Sequence, residues 1–428
     1  MEHAGPAAQA DGVPFLQGCG HADSARLLDT HYVLGWDGPG LSQLVHGLKD
    51  LPCPNVDREG VLRATASGSS AGPIPKEALM RFYQQQHRFY CGIDLHARSM
   101  YLCIVDQTGA VLFHQNLPTS PEAFLHAVAP YRDGLVVAAE CMFAWYWVAD
   151  LCRDQGIPFV LGHALYMKAI HGGKAKNDKL DSHKIATLLR GGTLAQAYVY
   201  PKGMRETRDL LRRRSFLVRQ RALLVAHIQN EASQYNLPAF AKKLTFAANR
   251  EELQVADHFP DPSVRLSVQT DLALIDAYDT RIGELELYLS RHAKIDDGNT
   301  YQRLQSIPGV GKILALILLY EIHDMRRFAD VGNFLSYARL VRGSHESAGK
   351  KKGAPGKRIG NAHLKWAFGE AACLLVRHSA RGKAWLARKQ KKHGKAKALA
   401  ILAAKLGRTV YHLWRKREVF DEARVFAS

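Results

Sequence analysis

Apolar and polar positions first become regular at Phe89. Three short β-rich runs follow, FYCGIDL, MYLCIVD and AVLFHQNL, and the turn residues between them predict a meander. Helical patterns then alternate with two buried-strand runs, LVVAAE and IPFVLG. The order β-β-β-α-β-α-β-α predicts an α/β sheet with crossover helices over about residues 88–200.

The strand signal disappears between residues 205 and 295. One long helical pattern begins at RETRDLLRRR, and a second runs through LALIDAYDTRIGELELYLSRH. Apolar residues of the second helix step by three or four and form a heptad-like seam: Leu272, Ile275, Tyr278, Ile282, Leu285 and Leu289. The seam predicts either two helices packed on their own domain or a coiled coil that joins subunits, and the pattern leaves both open.

A third unit begins after Thr300 with the turn sequence SIPGVGK between helical segments. Gly309 and Gly311 permit close backbone approach, and the helix that starts near Lys312 offers free N–H groups. This pattern predicts a helix-hairpin-helix element that grips a nucleic-acid phosphate, with a plain αα-corner as the alternative. The run is not a Walker A loop, since no Ser or Thr follows Lys312.

The first 87 residues show no period and are rich in Gly, Pro, Ala and Ser. We predict a poorly ordered extension, or even a translated leader before a start at Met80. The predicted domains are therefore an extension at 1–87, an α/β domain at 88–204, a helical linker at 205–299, a mostly α domain at 300–417 and a tail at 418–428.

Charge narrows the class of partner. The chain of 428 residues carries a net +18, and residues 1–87 contain six Lys/Arg and nine Asp/Glu, so the remainder carries +21. A folded region this basic predicts DNA or RNA as partner, with a solvated basic surface as the alternative. The seven cysteines form no CxxC pair, and neither a membrane span nor a signal peptide is expected, which predicts a cytoplasmic protein with reduced thiols.

Four carboxylates stand out in this basic chain. Asp94 and Glu140 end apolar strand runs, and Asp178 and Asp181 lie three residues apart at the start of a helical stretch, on one helix face. Carboxylates gathered at strand ends and a helix start can hold divalent cations for phosphodiester chemistry. Singly, each acid could be a surface or capping residue. His96 either contacts phosphate or faces solvent, and its position favours solvent.

A Ser-Gly-Lys segment, SHESAGKKKGAPGKRIGN, is the second candidate site. A hydroxyl flanked by cations can attack a phosphate that those cations stabilise, which makes Ser347 a candidate nucleophile, with Ser344 nearly as well placed and a solvated linker as the alternative. Cations of this segment and of the first long helix are the candidate nucleic-acid contacts, beside the Gly-Gly-Lys turn: Lys350, Lys351, Lys352, Lys357, Arg358, Arg212, Arg213 and Arg214.

The ordered combination of these motifs resembles the DEDD-type transposases of bacterial insertion sequences, the one-hundred-and-ten family, which includes the Piv-type DNA invertases. The resemblance covers about residues 88–415. It rests on Asp94, Glu140, Asp178 and Asp181 as a D-E-D-D set, on SIPGVGKILALILLYEI, and on SAGKKKG followed by GKRIGNAHLKWAFGEAA. The long N-terminal extension and the Ser-Ala-Gly reading at Ser347 depart from the family pattern.

The resemblance implies a fold, a chemistry and partners. It implies an RNase H-like (RuvC-like) N-terminal domain, a helical or coiled-coil linker, and a C-terminal transposase domain in which Ser347 would form a covalent phosphoserine with DNA. It also implies Mg²⁺ held by the four acids, a bridge RNA that guides donor and target DNA together, and a dimer or tetramer associated with the bacterial nucleoid. The alternatives are a RuvC-like junction nuclease that hydrolyses DNA with metal-bound water, or a non-catalytic nucleic-acid-binding protein.

Overall fold

The computed structural model describes residues 82–170, 177–293, 297–341, 346–347, 350–351 and 359–427. The predicted extension and the start at Met80 lie outside these residues, apart from 82–87. Among the helices described, none is both long and apolar enough to cross a bilayer.

Five strands form one mixed sheet in the order β3-β2-β1-β4-β5. The strands are β1 (Phe89–Leu95), β2 (Ser99–Asp106), β3 (Val111–Pro118), β4 (Leu135–Glu140) and β5 (Phe159–Gly162). The first three pair antiparallel, which confirms the meander, whereas β4 joins β1 and β5 in parallel. A mixed sheet of this order, followed by a mostly helical region, fits the expected RNase H-like class.

Helices cover both faces of the sheet. They are α1 (Pro121–Val128), α2 (Trp145–Asp154), α3 (Ala164–Ile170) and α4 (Asp178–Arg190), with a 3-10 turn at Ala129–Tyr131. Side chains alternate along a strand, so Cys91 and Ile93 join the core beneath α1 and α2, whereas Tyr90 joins the core beneath α4. By the same alternation Asp94 belongs to the α4 face.

The linker is an antiparallel pair of long helices, α5 (Arg205–Gln234) and α7 (Pro262–His292), separated by α6 (Ala247–Leu253) and a 3-10 turn at Val255–His258. Ion pairs set their register, Arg214–Glu286, Arg221–Asp279 and His227–Asp271. Alternate members of the predicted seam, Ile275, Ile282 and Leu289, are buried. The seam therefore packs within this chain, against α5 at Ile275 and against the C-terminal core at Leu289.

The C-terminal part is helical around one core. Its helices are α8 (Gly298–Gln305), α9 (Lys312–Ile322), α10 (Val331–Tyr337), α11 (Ala362–His378), α12 (Ala380–His393), α13 (Lys395–Lys416) and α14 (Glu422–Val425), with a 3-10 turn at Met325–Arg327. Helix α9 is buried over most of its length and lies at the centre of this core. Two short strands, β6 (Glu346–Ser347) and β7 (Lys350–Lys351), pair antiparallel between α10 and α11.

Candidate functional site

Two of the predicted acids lie at the carboxyl ends of neighbouring strands. Strands β1 and β4 are parallel neighbours in which Ile93 lies opposite Ala139, so Asp94 and Glu140 follow at equivalent positions. Asp94 lies an even number of residues after Tyr90 in β1, as Glu140 does after Ala138 in β4, so both acids share a face with the core beneath α4. The sheet thus presents both carboxylates at one edge and on the face that α4 covers.

Helix α4 brings the other two acids to the same edge. Asn177 caps the helix by accepting from the N–H of Lys179, which places Asp178 and Asp181 in the first turn. At Gly92 an added Cβ would collide with the α4 backbone, so strand and helix lie in direct contact there. The absence of a side chain at Gly92 is what lets the helix start approach the end of β1.

His96 completes the group, and its side chain is exposed to solvent, as its position in the sequence favours. Its Nε2 atom lies 3.5 Å from Asp94 and 3.6 Å from Asp178, with half of the imidazole exposed. One ligand atom each from Asp94, His96 and Asp178 lies within 4.8 Å of the others. Residues i and i+2 of an extended chain share a side, and that spacing from Asp94 was the signal available in the sequence.

Asp181 lies beside this group, and the strand register places Glu140 at the same edge of the sheet. The carboxylate of Asp181 is 3.0 Å from Nζ of Lys184, one turn further along α4. Burial raises the pKa of Asp94, and the charges of Asp178 and Asp181 raise it further, against the opposing effect of His96. A cation stabilises the charged form of a carboxylate that lies beside other carboxylates, and this oxygen-rich donor set fits a hard divalent ion.

The Ser-Gly-Lys segment is described only in part. Ser347 in β6 lies opposite Lys350 in β7, and Glu346 lies opposite Lys351. The remaining cations predicted here, Lys352, Lys357 and Arg358, and the alternative nucleophile Ser344 lie outside the described residues. The backbone thus places Ser347 directly across from one of its predicted cationic neighbours.

The glycine turn before α9 has the predicted close approach at Gly309 but not at Gly311, where an added Cβ would meet open space because that residue faces away from the core. Gly309 has a φ of 84°, and a Cβ there would lie 2.7 Å from the backbone of Leu374 in α11. Gly311 is the N-cap of α9, and Lys312, the first helical residue, is exposed. A phosphate contact at this turn stays a prediction.

The three arginines predicted to contact nucleic acid have different surroundings. Arg212 is paired with buried Glu321, and Arg214 is paired with Glu286. Arg213 is exposed, with its guanidinium 5.1 Å from the ring of Phe216. A contact with nucleic acid stays a prediction for all three, but only Arg213 has an exposed side chain, and the other two hold the fold together.

Glu321 is the polar residue that the sequence reasoning overlooked. Its side chain is only 3% exposed, and it accepts from Arg208, Arg212 and Asn361. Burial alone would raise the pKa of Glu321, but hydrogen bonds and charge from Arg212, with Arg208, lower it to about 2. A single acid within the apolar run KILALILLYEI was the available signal, because a buried carboxylate is costly unless it is paired.

Comparison with known proteins agrees with this arrangement. A DEDD transposase family model of IS110 type matches residues 91–236, and a model described as "Transposase IS116/IS110/IS902 family" matches residues 301–387. The transposase for insertion sequence element IS1111A of Coxiella burnetii is 25% identical over 339 residues, which are 77% of this chain and 90% of that protein.

The match to a second relative covers a smaller share of that protein. The putative transposase y4pF/y4sB of Sinorhizobium fredii is 26% identical over 261 residues, 58% of this chain and 65% of that protein. The two family matches follow one another in the order of the sheet domain and the helical C-terminal domain. This chain belongs to the IS110 family of DEDD-type insertion-sequence transposases.

Proposed function

We propose that this transposase cuts and rejoins DNA through a covalent link between Ser347 and a DNA phosphate, at a metal site formed by Asp94, Glu140, Asp178 and Asp181. The observation that carries the proposal is the meeting of β1, β4 and the start of α4, which gathers these acids at one sheet edge. The RuvC-like assignment of the sheet domain is part of the same proposal.

The acids would hold Mg²⁺, with His96 as a further donor beside Asp94 and Asp178. Carboxylate oxygens are the ligands that this hard cation prefers. Bound there, a divalent cation supplies charge stabilisation for the scissile phosphate and the departing oxygen. Without a cation neighbouring carboxylates repel one another, and the charges of Asp178 and Asp181 add to burial in raising the pKa of Asp94.

The serine step conserves the energy of the phosphodiester. The Ser347 oxygen forms a bond to phosphorus, the bond from phosphorus to one DNA oxygen breaks, and the hydroxyl proton passes to solvent or to that oxygen. The link is reversed when the hydroxyl of another strand attacks the phosphoserine and the serine leaves. Because a phosphodiester replaces a phosphodiester at each stage, no ATP is required. This agrees with a glycine turn at Lys312 that lacks the Walker A pattern.

The proposed partners are donor and target DNA, a structured bridge RNA encoded beside the gene, and further copies of this chain as a dimer or tetramer. The net charge of +21 beyond residue 87 supports binding to several nucleic-acid strands. The proposed location is the bacterial cytoplasm, in association with the nucleoid.

Trapping the covalent species tests this proposal. Purified protein with its guide RNA, matching duplexes and Mg²⁺ is expected to yield a protein–DNA adduct that survives denaturing electrophoresis. Ser347→Ala should abolish it, and Ser344→Ala, the matched neighbour, should retain it. Full cutting by Ser347→Ala without an adduct would instead identify a hydrolytic nuclease that uses the acids alone. Unchanged in-cell excision by Asp94→Ala would identify a binding protein.

A further inference from the structure

The first turn of α5 packs on the sheet domain, against α2, the helix that follows Glu140 in the sequence. Arg205 donates to Asp150 of α2 over 2.5 Å and to the Tyr146 carbonyl over 3.3 Å. Its guanidinium also lies 4.6 Å from the centre of the Tyr146 ring. Arg205 is only 2% exposed, so the start of α5 is fixed to the helix that follows the acidic strand β4.

The next turns of α5 hold the C-terminal domain through Glu321. Arg212 donates two hydrogen bonds to this carboxylate, over 2.7 Å and 3.0 Å, and Arg208 donates a third over 3.0 Å. Arg205, Arg208 and Arg212 follow one another at spacings of about one helical turn, so they share one side of α5. One helix face therefore connects the sheet domain to α9.

Glu321 also holds the end of the segment that contains Ser347. Asn361, the N-cap residue immediately before α11, donates from Nδ2 to Glu321 over 2.7 Å. Its side-chain oxygen caps α11 by accepting from the N–H groups of His363 and Leu364. The two functions of one amide fix both the direction of α11 and the point where the segment ends.

The two ends of the segment are joined to each other at the same place. The N–H of Asn361 donates to the Tyr337 carbonyl over 2.6 Å, and Nε of Arg339 donates to the Ile359 carbonyl over 3.0 Å. Gly360 has a φ of 92°, and a Cβ there would lie 2.5 Å from the Tyr337 oxygen. Residues on either side of the serine segment are thus held together beside Glu321.

We infer that Glu321 is a positioning residue, which holds the end of the Ser347 segment against α5 by joining Asn361 to Arg208 and Arg212. This inference rests on the proposed function, because it assumes that Ser347 attacks the DNA phosphate. Glu321 itself contacts no DNA in this role. Its loss should therefore slow the covalent step without weakening DNA binding, since misplacing a reacting group costs rate rather than affinity.

Glu321→Gln keeps the shape of the side chain and removes its charge, and Glu286→Gln is the matched control, because Glu286 also pairs with an arginine of α5. At saturating DNA we expect Glu321→Gln to form the Ser347 adduct at least tenfold more slowly than wild type. The Kd for DNA should stay within twofold, and Glu286→Gln should react at the wild-type rate. Equal rates for the two variants would overturn the inference, as would a loss confined to DNA affinity.

Asn361→Ser provides a second variant that retains a good helix cap but lacks the amide donor to Glu321. It should also react at least tenfold more slowly, with unchanged circular dichroism, and a wild-type rate would overturn the inference. If wild type forms no adduct, the proposed function fails, and hydrogen exchange then decides the positioning on its own. The backbone N–H of Asn361, which donates to Tyr337, should exchange at least tenfold faster in Glu321→Gln than in Glu286→Gln. Equal protection of this N–H in the two variants contradicts the inference.

Discussion

A Cβ atom on Gly92 would collide with the backbone nitrogen of Ala186, so β1 and α4 lie backbone against backbone at the candidate site. We predict that Gly92→Ala pushes α4 outward and destabilises the fold by about 1–3 kcal/mol, as overpacking of a tight core does. Urea unfolding measures this change directly.

Gly283 of α7 is the matched control for Gly92→Ala. It lies inside a helix, and a Cβ there would meet open space. Gly283→Ala should therefore stabilise the protein by up to about 1 kcal/mol, the gain expected for Ala over Gly in a helix. Equal unfolding midpoints for wild type and Gly92→Ala would show that the close approach is not rigid.

The sheet and the placement of the acids follow from local pattern. The runs around Asp94 and Glu140 have strand periodicity, Asn177 is a good N-cap, and parallel strand ends meet at one edge, so the gathering of carboxylates could be predicted. These signals are short-range, because each needs only a few neighbouring residues to specify it.

The ion pairs could not be predicted in the same way. Arg212 and Glu321 are 109 residues apart, and the residues next to either one in the sequence do not indicate which residue it pairs with. The arginine run of α5 predicts a nucleic-acid contact or a solvated face, because charge runs are usually exposed. Folding buries one side of that helix between two domains, and only tertiary packing decides which arginines remain exposed and available for such a contact.

Removing the carboxylate of Glu321 should be costly for stability. Glu321→Ala leaves Arg208 and Arg212 without their buried partner, and breaking a buried pair on one side costs about 3–5 kcal/mol. Glu252, which pairs with Lys242 and is 60% exposed, is the control. Glu252→Ala should cost less than about 1 kcal/mol. Similar losses for both variants in chemical denaturation would contradict the buried role of Glu321.

His363 should make stability depend on pH in a defined window. Burial lowers the pKa of His363, with help from the charges of Arg212 and Arg208, to about 4, against an ordinary value of 6.5. Between these values the unfolded state binds more protons, so stability falls as pH drops from 6.5 to 4, by up to about 1.4 kcal/mol per pH unit. His363→Gln should flatten that part of the profile.

His227 offers a control of opposite sign. The hydrogen bond to Asp271 raises the pKa of His227 in the folded state. His227 therefore contributes its full share of stability below pH 6.5, and this share is lost as pH rises through the raised pKa of the folded state. His227→Gln should leave the slope between pH 4 and 6.5 nearly unchanged. The wild-type slope persisting in His363→Gln would show that other groups cause the acid sensitivity.

His96 gives the proposed metal site a nitrogen ligand that can be detected without any reaction. Its Nε2 lies within 4.8 Å of ligand atoms of Asp94 and Asp178. With Mn²⁺ in place of Mg²⁺, the electron spin echo of the wild-type protein should show modulation from a bound imidazole nitrogen, because imidazole is a better ligand for transition metals than for magnesium.

Two variants separate ligation by His96 from its mere proximity. His96→Ala should lose the nitrogen modulation and bind Mn²⁺ roughly tenfold more weakly, within the range seen when a metal site loses a supporting group. Asp94→Asn, which removes the most buried carboxylate of the group, should lose most Mn²⁺ binding. Nitrogen modulation that is absent from wild type loaded with Mn²⁺ would assign the His96 imidazole to solvent and leave oxygen donors alone to hold the ion. Modulation that persists in His96→Ala would show that the bound nitrogen belongs to a residue other than His96.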